Sequence, residues 1–180
     1  MSKKKLFILI GVGAAVVLLL QIILILNLPT IMHNLTTRKT DAPAPEVTYC
    51  EFPFEITYKL DGETKIVSDI YVCEYVGSYW NWNIGDYREW KGYLKSNQNE
   101  NIVLIEDGNK EIICNIGKPE YYMDDSDEWS IETNEPTLII VEHLDSGGYS
   151  SSSLSNELKE YYKIELVGWK LSEPIENSFE

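Results

Sequence analysis

The chain offers few side chains suited to nucleophilic catalysis. Such chemistry needs a general base beside the nucleophile, and that base is most often a histidine. His143 is the one histidine beyond residue 45, and Ser146 and the serine run at 150–153 follow it. There is no Gly-x-Ser-x-Gly motif to present a serine on a sharp turn. The pattern therefore favours a histidine that ends a buried strand, followed by serines in a loop.

A thiol-based acyl transfer would need other residues. Transpeptidases of that kind combine a cysteine with a histidine and an arginine, and the chain contains Cys114, His143 and Arg88. Their order and the residues around Cys114 do not match such enzymes. Because Cys114 follows an apolar pair, Ile112 and Ile113, we interpret it as a core cysteine.

One loop concentrates carboxylates that suit a hard cation. Asp124, Asp125, Asp127 and Glu128 lie within five positions, and calcium takes six to eight oxygen ligands from such loops. However, the spacing and the turn glycine of an EF-hand are absent. We therefore interpret this segment as a solvated acidic loop, and we predict no catalytic residue, no metal site and no cofactor.

Aromatic side chains form the most distinctive cluster. Tyr79, Trp80 and Trp82 alternate with asparagines, and Tyr87 and Trp90 follow shortly afterwards. If exposed, these rings could stack on sugars or grip a peptide; if buried, they belong to the core. We predict a loop-like patch over 79–86, with Tyr79, Trp80 and Trp82 as candidate binding residues that should be exposed and adjacent.

The charge of the chain excludes one class of partner. From Glu46 onward there are 28 acidic and 10 basic residues, which gives a net charge of −18. Affinity for nucleic acids rests on Lys and Arg side chains that neutralise phosphates, so nucleic-acid binding is excluded. Twenty of the 21 aromatic residues also lie beyond the first 28 positions, and this content indicates a folded domain.

The three cysteines leave two states open. Cys50, Cys73 and Cys114 cannot all pair within one chain. One bridge with one buried thiol is one alternative, and three buried, reduced cysteines is the other. We favour the second because each cysteine lies in or beside an apolar run.

The first 28 residues predict a membrane anchor. The 23 residues from Leu6 to Leu28 carry no charge, and a helix of that length spans about 34 Å, enough for a hydrocarbon core of about 30 Å. The run exceeds the apolar core of a cleaved signal peptide, and the first Ala-x-Ala site is distant, at 42–44. We therefore favour an uncleaved anchor over a cleaved signal.

Charges beside this segment predict its orientation. Lys3, Lys4 and Lys5 precede the span, and the basic side stays in the cytoplasm. We predict a single-pass protein of the cell membrane with a short cytoplasmic tail at 1–5, a span at 6–28, an extracytoplasmic linker at 29–46 and an acidic domain at 47–180. Alternation of Ala and Pro over 42–45 favours an extended linker that lifts the domain from the bilayer.

Alternation of apolar residues predicts a domain built mainly of strands. Residues 52–60 alternate at period two, and Asp61-Gly62 predicts a hairpin turn into a central strand over 64–76. Further strands are predicted over 87–94, 102–106, 111–116, 137–143 and 164–171. Residues 117–136 are predicted to be irregular.

One helix is predicted in this domain. Leu154, Leu158, Tyr161 and Tyr162 fall on one face of a helix over about 154–162, before the last strand. The fold class is therefore α+β, with a mainly antiparallel sheet, one covering helix and one transmembrane helix; a β-sandwich is the alternative.

These observations predict a non-catalytic binding or interaction module. The domain would contact a protein or a glycan outside the cell, while the chain spans the membrane once. A structural subunit of a membrane assembly is one alternative, which a free strand edge or a long apolar patch would favour. A cell-surface hydrolase is the other, and it requires a deep pocket holding His143 or a carboxylate pair.

Overall fold

The structure is a computed structural model that describes residues 21, 37–126, 135–144, 148–153 and 155–179. The chain divides into two compact units. The smaller unit contains the chain up to Ala42 together with Ser78–Tyr87, and the larger contains Pro43–Gly77 and everything from Arg88 onward.

Strands dominate the described residues, as predicted. The nine strands found there are β1 (Thr37–Lys39), β2 (Tyr49–Leu60), β3 (Glu63–Asn81), β4 (Gly85–Leu94), β5 (Ile102–Asp107), β6 (Lys110–Asn115), β7 (Thr137–His143), β8 (Tyr149–Ser152) and β9 (Ile164–Lys170). They form two antiparallel sheets. The mainly antiparallel β prediction is therefore confirmed.

The first sheet is built on the long hairpin of β2 and β3. Asp61 and Gly62 take φ angles of 51° and 83°, so both turn residues are left-handed, as this two-residue turn requires. Leu60 pairs with Glu63 and the register runs on to Tyr49 and Glu74. Strand β9 pairs with the outer edge of β2, and β4 and β1 pair with β3. Strand β3 is therefore central, as predicted.

The second sheet lies within the larger unit and has the order β5-β6-β7-β8. Strand β7 is internal, as predicted, and β6 is in register with it from Lys110–Glu142 to Asn115–Thr137. Strand β8 was predicted to be a serine loop, and that prediction is wrong. Backbone pairing with β7 orders Tyr149–Ser152 as a strand despite the low strand propensity of serine.

Both sheets contribute to one core in the larger unit. Alternate residues of β2 point into it, as the sequence predicted, and Ile56 is fully buried. The fully buried side chains of the core are Tyr122, Ile56, Ile112, Met123, Ile164, Val72, Cys73 and Cys114. The two sheets therefore cover a shared apolar cluster rather than two separate ones.

Two short helices lie among the described residues. Helix α1 (Pro119–Tyr122) falls in the range predicted to be irregular, and it places Tyr122 in the core, where its hydroxyl donates to the Ile116 carbonyl at 2.6 Å. Helix α2 (Ser155–Glu160) precedes β9, as predicted, and buries Leu158. Tyr161 was predicted on the buried face but is 74% exposed, because the helix ends at Glu160.

The predicted span at 6–28 lies outside the described residues except for Gln21, which is helical. Within the described residues, no helix is both long enough and apolar enough to cross a membrane. Strand β1 falls inside the range predicted as a linker.

The cysteines lie in strands and have no disulfide in the structure. Cys73 and Cys114 are fully buried, whereas Cys50, which faces Cys73 across the β2–β3 pair, is half-buried. Burial raises the pKa of the Cys114 thiol to about 12. Burial, with a smaller contribution from Cys50, also raises the pKa of Cys73.

These buried thiols predict a loss of stability in alkali. An unfolded thiol ionises near 9.0, whereas Cys114 in the folded chain stays protonated to about pH 12. The thiol therefore loses its proton at a lower pH in the unfolded state than in the folded state. Its contribution to the free energy of unfolding is complete below pH 9 and falls as the pH rises toward 12. For Cys114 alone the loss between pH 9 and pH 11 is on the order of 3 kcal/mol.

Urea unfolding of the reduced full-length protein in detergent, followed by tryptophan fluorescence between pH 8 and pH 11, measures this loss. Cys114→Ala should make the dependence on pH shallower, with the contribution of Cys73 remaining. A stability that stays constant across this range in the unsubstituted protein would contradict the assignment.

Candidate functional site

The smaller unit carries the predicted aromatic residues. Residues 79–86 were predicted to be a loop-like patch, but β3 continues to Asn81 and β4 begins at Gly85. Only the turn at residues 82–84, the hairpin tip, lies between them. The backbone N–H of Asn83 donates to Asn81 Oδ1 at 2.9 Å, and Gly85 takes a φ of 80°, so local turn chemistry fixes this tip.

The hairpin tip is apolar and exposed. Trp82 is 65% exposed and Ile84 is 67% exposed. Both side chains would gain from contact with an apolar or aromatic surface, because they bury little of their own area within the chain. Trp82 therefore satisfies the exposure expected of a binding residue.

Trp80 has a different environment from Trp82. Strand β1 pairs with the end of β3 and places Arg38 opposite Trp80. The Arg38 guanidinium carbon lies 4.8 Å from the centre of the indole ring, and Trp80 is half-buried. This cation–π contact fixes the ring and leaves part of it open.

Tyr79 is held in a similar way. Its ring packs against Tyr87 with the ring centres 5.9 Å apart, and both residues are half-buried. The Nδ2 group of Asn81 also donates to the Thr37 hydroxyl at 3.3 Å. The patch therefore consists of one exposed indole at the tip and two aromatic rings anchored behind it, rather than a flat platform of three.

The smaller unit is also electrically neutral among its described residues. Arg38 and Lys39 balance Asp41 and Asp86. The chain beyond residue 45 carries −18, so this unit differs in charge from most of the domain.

Trp90 belongs to the larger unit and is structural. It is 6% exposed, and its indole N–H donates to Asp125 Oδ2 at 2.7 Å. Arg88 binds the same carboxylate in a bidentate manner, with Nε to Oδ2 at 2.9 Å and Nη2 to Oδ1 at 2.5 Å. The Asp125 side chain is only 10% exposed, so the prediction that it lies in a solvated loop is wrong.

The C-terminal segment is tied to this cluster. The Arg88 guanidinium carbon lies 4.1 Å from the ring centre of Phe179. Asn177 holds Val47 through two hydrogen bonds of 3.0 Å, accepting from its N–H and donating to its carbonyl. The hydrogen bond with Asp125 also raises the pKa of the Arg88 guanidinium above its ordinary value.

The residues considered for catalysis are not assembled. Cys114 pairs with Leu138 on β7, five residues from His143, so about 17 Å of strand separates them. His143 has an exposed side chain whose Nε2 lies 3.3 Å from Glu111 Oε1. Ser146 lies outside the described residues. Arg88 is bound to Asp125.

The acidic loop is only partly described, since Asp127 and Glu128 lie outside the described residues. Across the described ranges, no group of three or more His, Cys, Asp or Glu side chains is arranged to hold a metal ion. The carboxylate oxygens of Asp125 already accept from Arg88 and Trp90, and Asp124 lies 3.5 Å from the Asn177 N–H.

A cleft of about 590 Å³ lies in the larger unit beside β5. Strand β5 is at one edge of its sheet and lines the cleft with every residue from Ile102 to Glu106. Phe54 and Leu94 contribute apolar surface, and Ser96 Oγ donates to the Asp69 carboxylate at 2.5 Å. Sequence reasoning missed this cleft because its walls come from distant parts of the chain.

Comparison with known proteins found no matching family model, no matching curated protein and no matching solved structure.

Proposed function

We propose that the protein is a membrane-anchored interaction module whose domain lies outside the cytoplasm and binds through the smaller unit. The contact residue is Trp82, with Ile84 beside it and with Tyr79 and Trp80 as the supporting rings. The proposed module binds its partner without catalysing a reaction.

One observation carries this proposal. Trp82 and Ile84 are neighbours at the same tip, and both leave about two-thirds of their surface in contact with solvent. A single exposed apolar residue is ordinary, but a rigid turn that presents two large ones resembles the anchor residues of binding surfaces. The hydrogen bond from Asn83 to Asn81 holds that turn in one geometry, which lowers the entropy cost of binding.

The anchor and its orientation belong to the same proposal. Residues 6–28 form the span, and the lysines at 3–5 keep the N-terminus in the cytoplasm. The strongly acidic remainder suits the aqueous side, where net charge keeps a domain soluble.

Photo-crosslinking in cells tests the proposed contact. A photo-reactive amino acid replaces Trp82 in one variant and Tyr161 in another, because Tyr161 is equally large and is 74% exposed in the larger unit. We expect a covalent adduct at position 82, at least several times more abundant than at position 161. Equal yields at the two positions, or no adduct at position 82, would overturn the proposed contact surface.

A structural subunit of a membrane assembly is the second candidate. The edge strand β5 beside its cleft favours it, because a strand that is at the edge of its sheet among the described residues can pair with another chain. A third variant carries the photo-reactive residue at Leu104 on that strand. A protein adduct at position 104 without any adduct, to protein or to lipid, at position 82 would favour the assembly subunit over the tip-binding module.

A further inference from the structure

We infer that the hairpin tip rests in the headgroup region of the same bilayer that holds the anchor, with Trp82 and Ile84 as the residues in contact with lipid. This inference rests on the proposed anchor at 6–28, and it names the surface that the smaller unit binds.

Chain length places the tip close to the membrane. Thr37 is in register with Asn81, so the strand that follows the anchor lies directly beside the start of the tip. Eight residues, 29–36, lie between Leu28 and Thr37, and the nine residue-to-residue steps that join these two positions span at most about 32 Å. The extended segment at 42–45 comes after β1 and therefore adds no length between anchor and tip.

The chemistry of the tip suits the boundary between lipid and water. Tryptophan is enriched there because its ring is apolar while its N–H can bond to water or headgroups. Ile84 supplies a purely apolar contact of similar exposure. The Asn83 backbone N–H donates to Asn81 Oδ1, and Asn81 Nδ2 donates to the Thr37 hydroxyl. These hydrogen bonds lower the cost of bringing the turn toward lipid.

Charge favours the smaller unit as the part that approaches the bilayer. The larger unit has 27 acidic and 10 basic residues, and its net charge of −17 repels anionic headgroups, whereas the described residues of the smaller unit are neutral overall. Arg38 and Lys39, the two cations among its described residues, lie on β1, the strand that pairs with the end of β3 just before the tip.

Fluorescence quenching in vesicles tests this contact. The full-length protein is reconstituted into phosphatidylcholine vesicles that carry a spin label near the headgroup end of the acyl chain. We expect the label to quench tryptophan emission in the unsubstituted protein, and Trp82→Phe to lose at least half of that quenching. Trp169→Phe is the matched control, since Trp169 is 44% exposed in the larger unit, and it should keep the quenching.

A second variant keeps the fluorophore and changes only the surface. Ile84→Glu places a carboxylate at the tip, and we expect it to reduce the quenching of Trp82 at least twofold.

Two outcomes would overturn the inference, and they are distinguishable. Flotation of the vesicles in a density gradient shows whether the protein is bound to them. If the protein floats with the vesicles but Trp82→Phe and Trp169→Phe retain equal quenching, the tip does not contact lipid, and the proposed anchor is unaffected. A protein adduct at position 82 in the crosslinking experiment would then identify a protein as the partner. If the protein does not float with the vesicles at all, the anchor fails as well.

Discussion

Gly92→Ala is expected to lower the free energy of unfolding by at least about 3 kcal/mol. Gly92 lies in β4, where a Cβ atom would overlap the hydroxyl of Tyr71 and lie 2.5 Å from Cζ of the same ring. Tyr71 is 5% exposed and its ring contacts Tyr122 edge to face at 5.5 Å, so it has little freedom to move aside. The ring and the added methyl group cannot both keep their positions.

Urea unfolding of the full-length protein in detergent measures this loss. Gly168→Ala is the matched control, because a Cβ there would lie 3.9 Å from the Cβ of Thr57, an ordinary contact, and we expect a change within about 1 kcal/mol. Tyr71→Leu removes the opposing ring atoms, so adding it to Gly92→Ala should cost less than the sum of the two substitutions. Equal stability of Gly92→Ala and Gly168→Ala would contradict the packing described.

Asp125→Asn is expected to cost about 3 kcal/mol of stability. The neutral amide removes the charge that binds Arg88 in a bidentate manner. It also replaces one of the two acceptor oxygens with an NH2 group that can only donate, so the hydrogen bonds from Arg88 and Trp90 cannot all be kept. The guanidinium would then remain against the Phe179 ring without its counter-ion. Removal of one partner of a buried pair is costly because the other charge stays desolvated.

Glu55→Gln provides the comparison in the same unfolding experiment. Its partner Lys170 is 80% exposed, and an exposed pair of this kind contributes about 0.5 kcal/mol. A larger loss for Glu55→Gln than for Asp125→Asn would contradict the structural role of the Asp125 cluster. A double-mutant cycle with Arg88→Met isolates the ion pair itself.

The strands were predicted from local sequence patterns, namely the alternation of apolar residues and the residues typical of turns. The alternation over Phe52–Leu60 and the Asp61-Gly62 turn together determine which face of β2 is buried, because side chains alternate across a strand and the turn sets the register. Strand β7 was predicted with its observed bounds, since Thr137–His143 is a compact run of β-branched and apolar residues between polar segments.

Long-range contacts explain the features that the sequence did not reveal. In the sequence, Gly92 within a strand pattern indicates only a weak strand. The structure shows why a glycine is needed there, because the Tyr71 ring on the neighbouring strand occupies the space of a Cβ atom. Asp125 could not be distinguished among 28 acidic residues beyond residue 45, because only the fold brings Arg88 and Trp90 to it. Helix α1 is a single turn that begins at Pro119, too short for any periodic signal.

The candidate site was predicted in part. Tyr79, Trp80 and Trp82 all lie in the smaller unit, but they were expected in a loop. The extension of β3 to Asn81 depends on pairing with β1, whose three residues carry no strand pattern of their own. The structure therefore separates one exposed indole from two rings that β1 and Tyr87 hold in place.

The proposed anchor is the claim on which both functional proposals depend, and its sidedness can be measured directly. The full-length protein with an epitope tag after Glu180 is expressed in cells, and its membranes are washed with high salt and sodium carbonate. We predict that the protein stays in the membrane pellet and that antibody reaches the tag without permeabilisation of the cytoplasmic membrane. Release of the intact protein into the wash, or a tag that antibody reaches only after permeabilisation, would contradict the account.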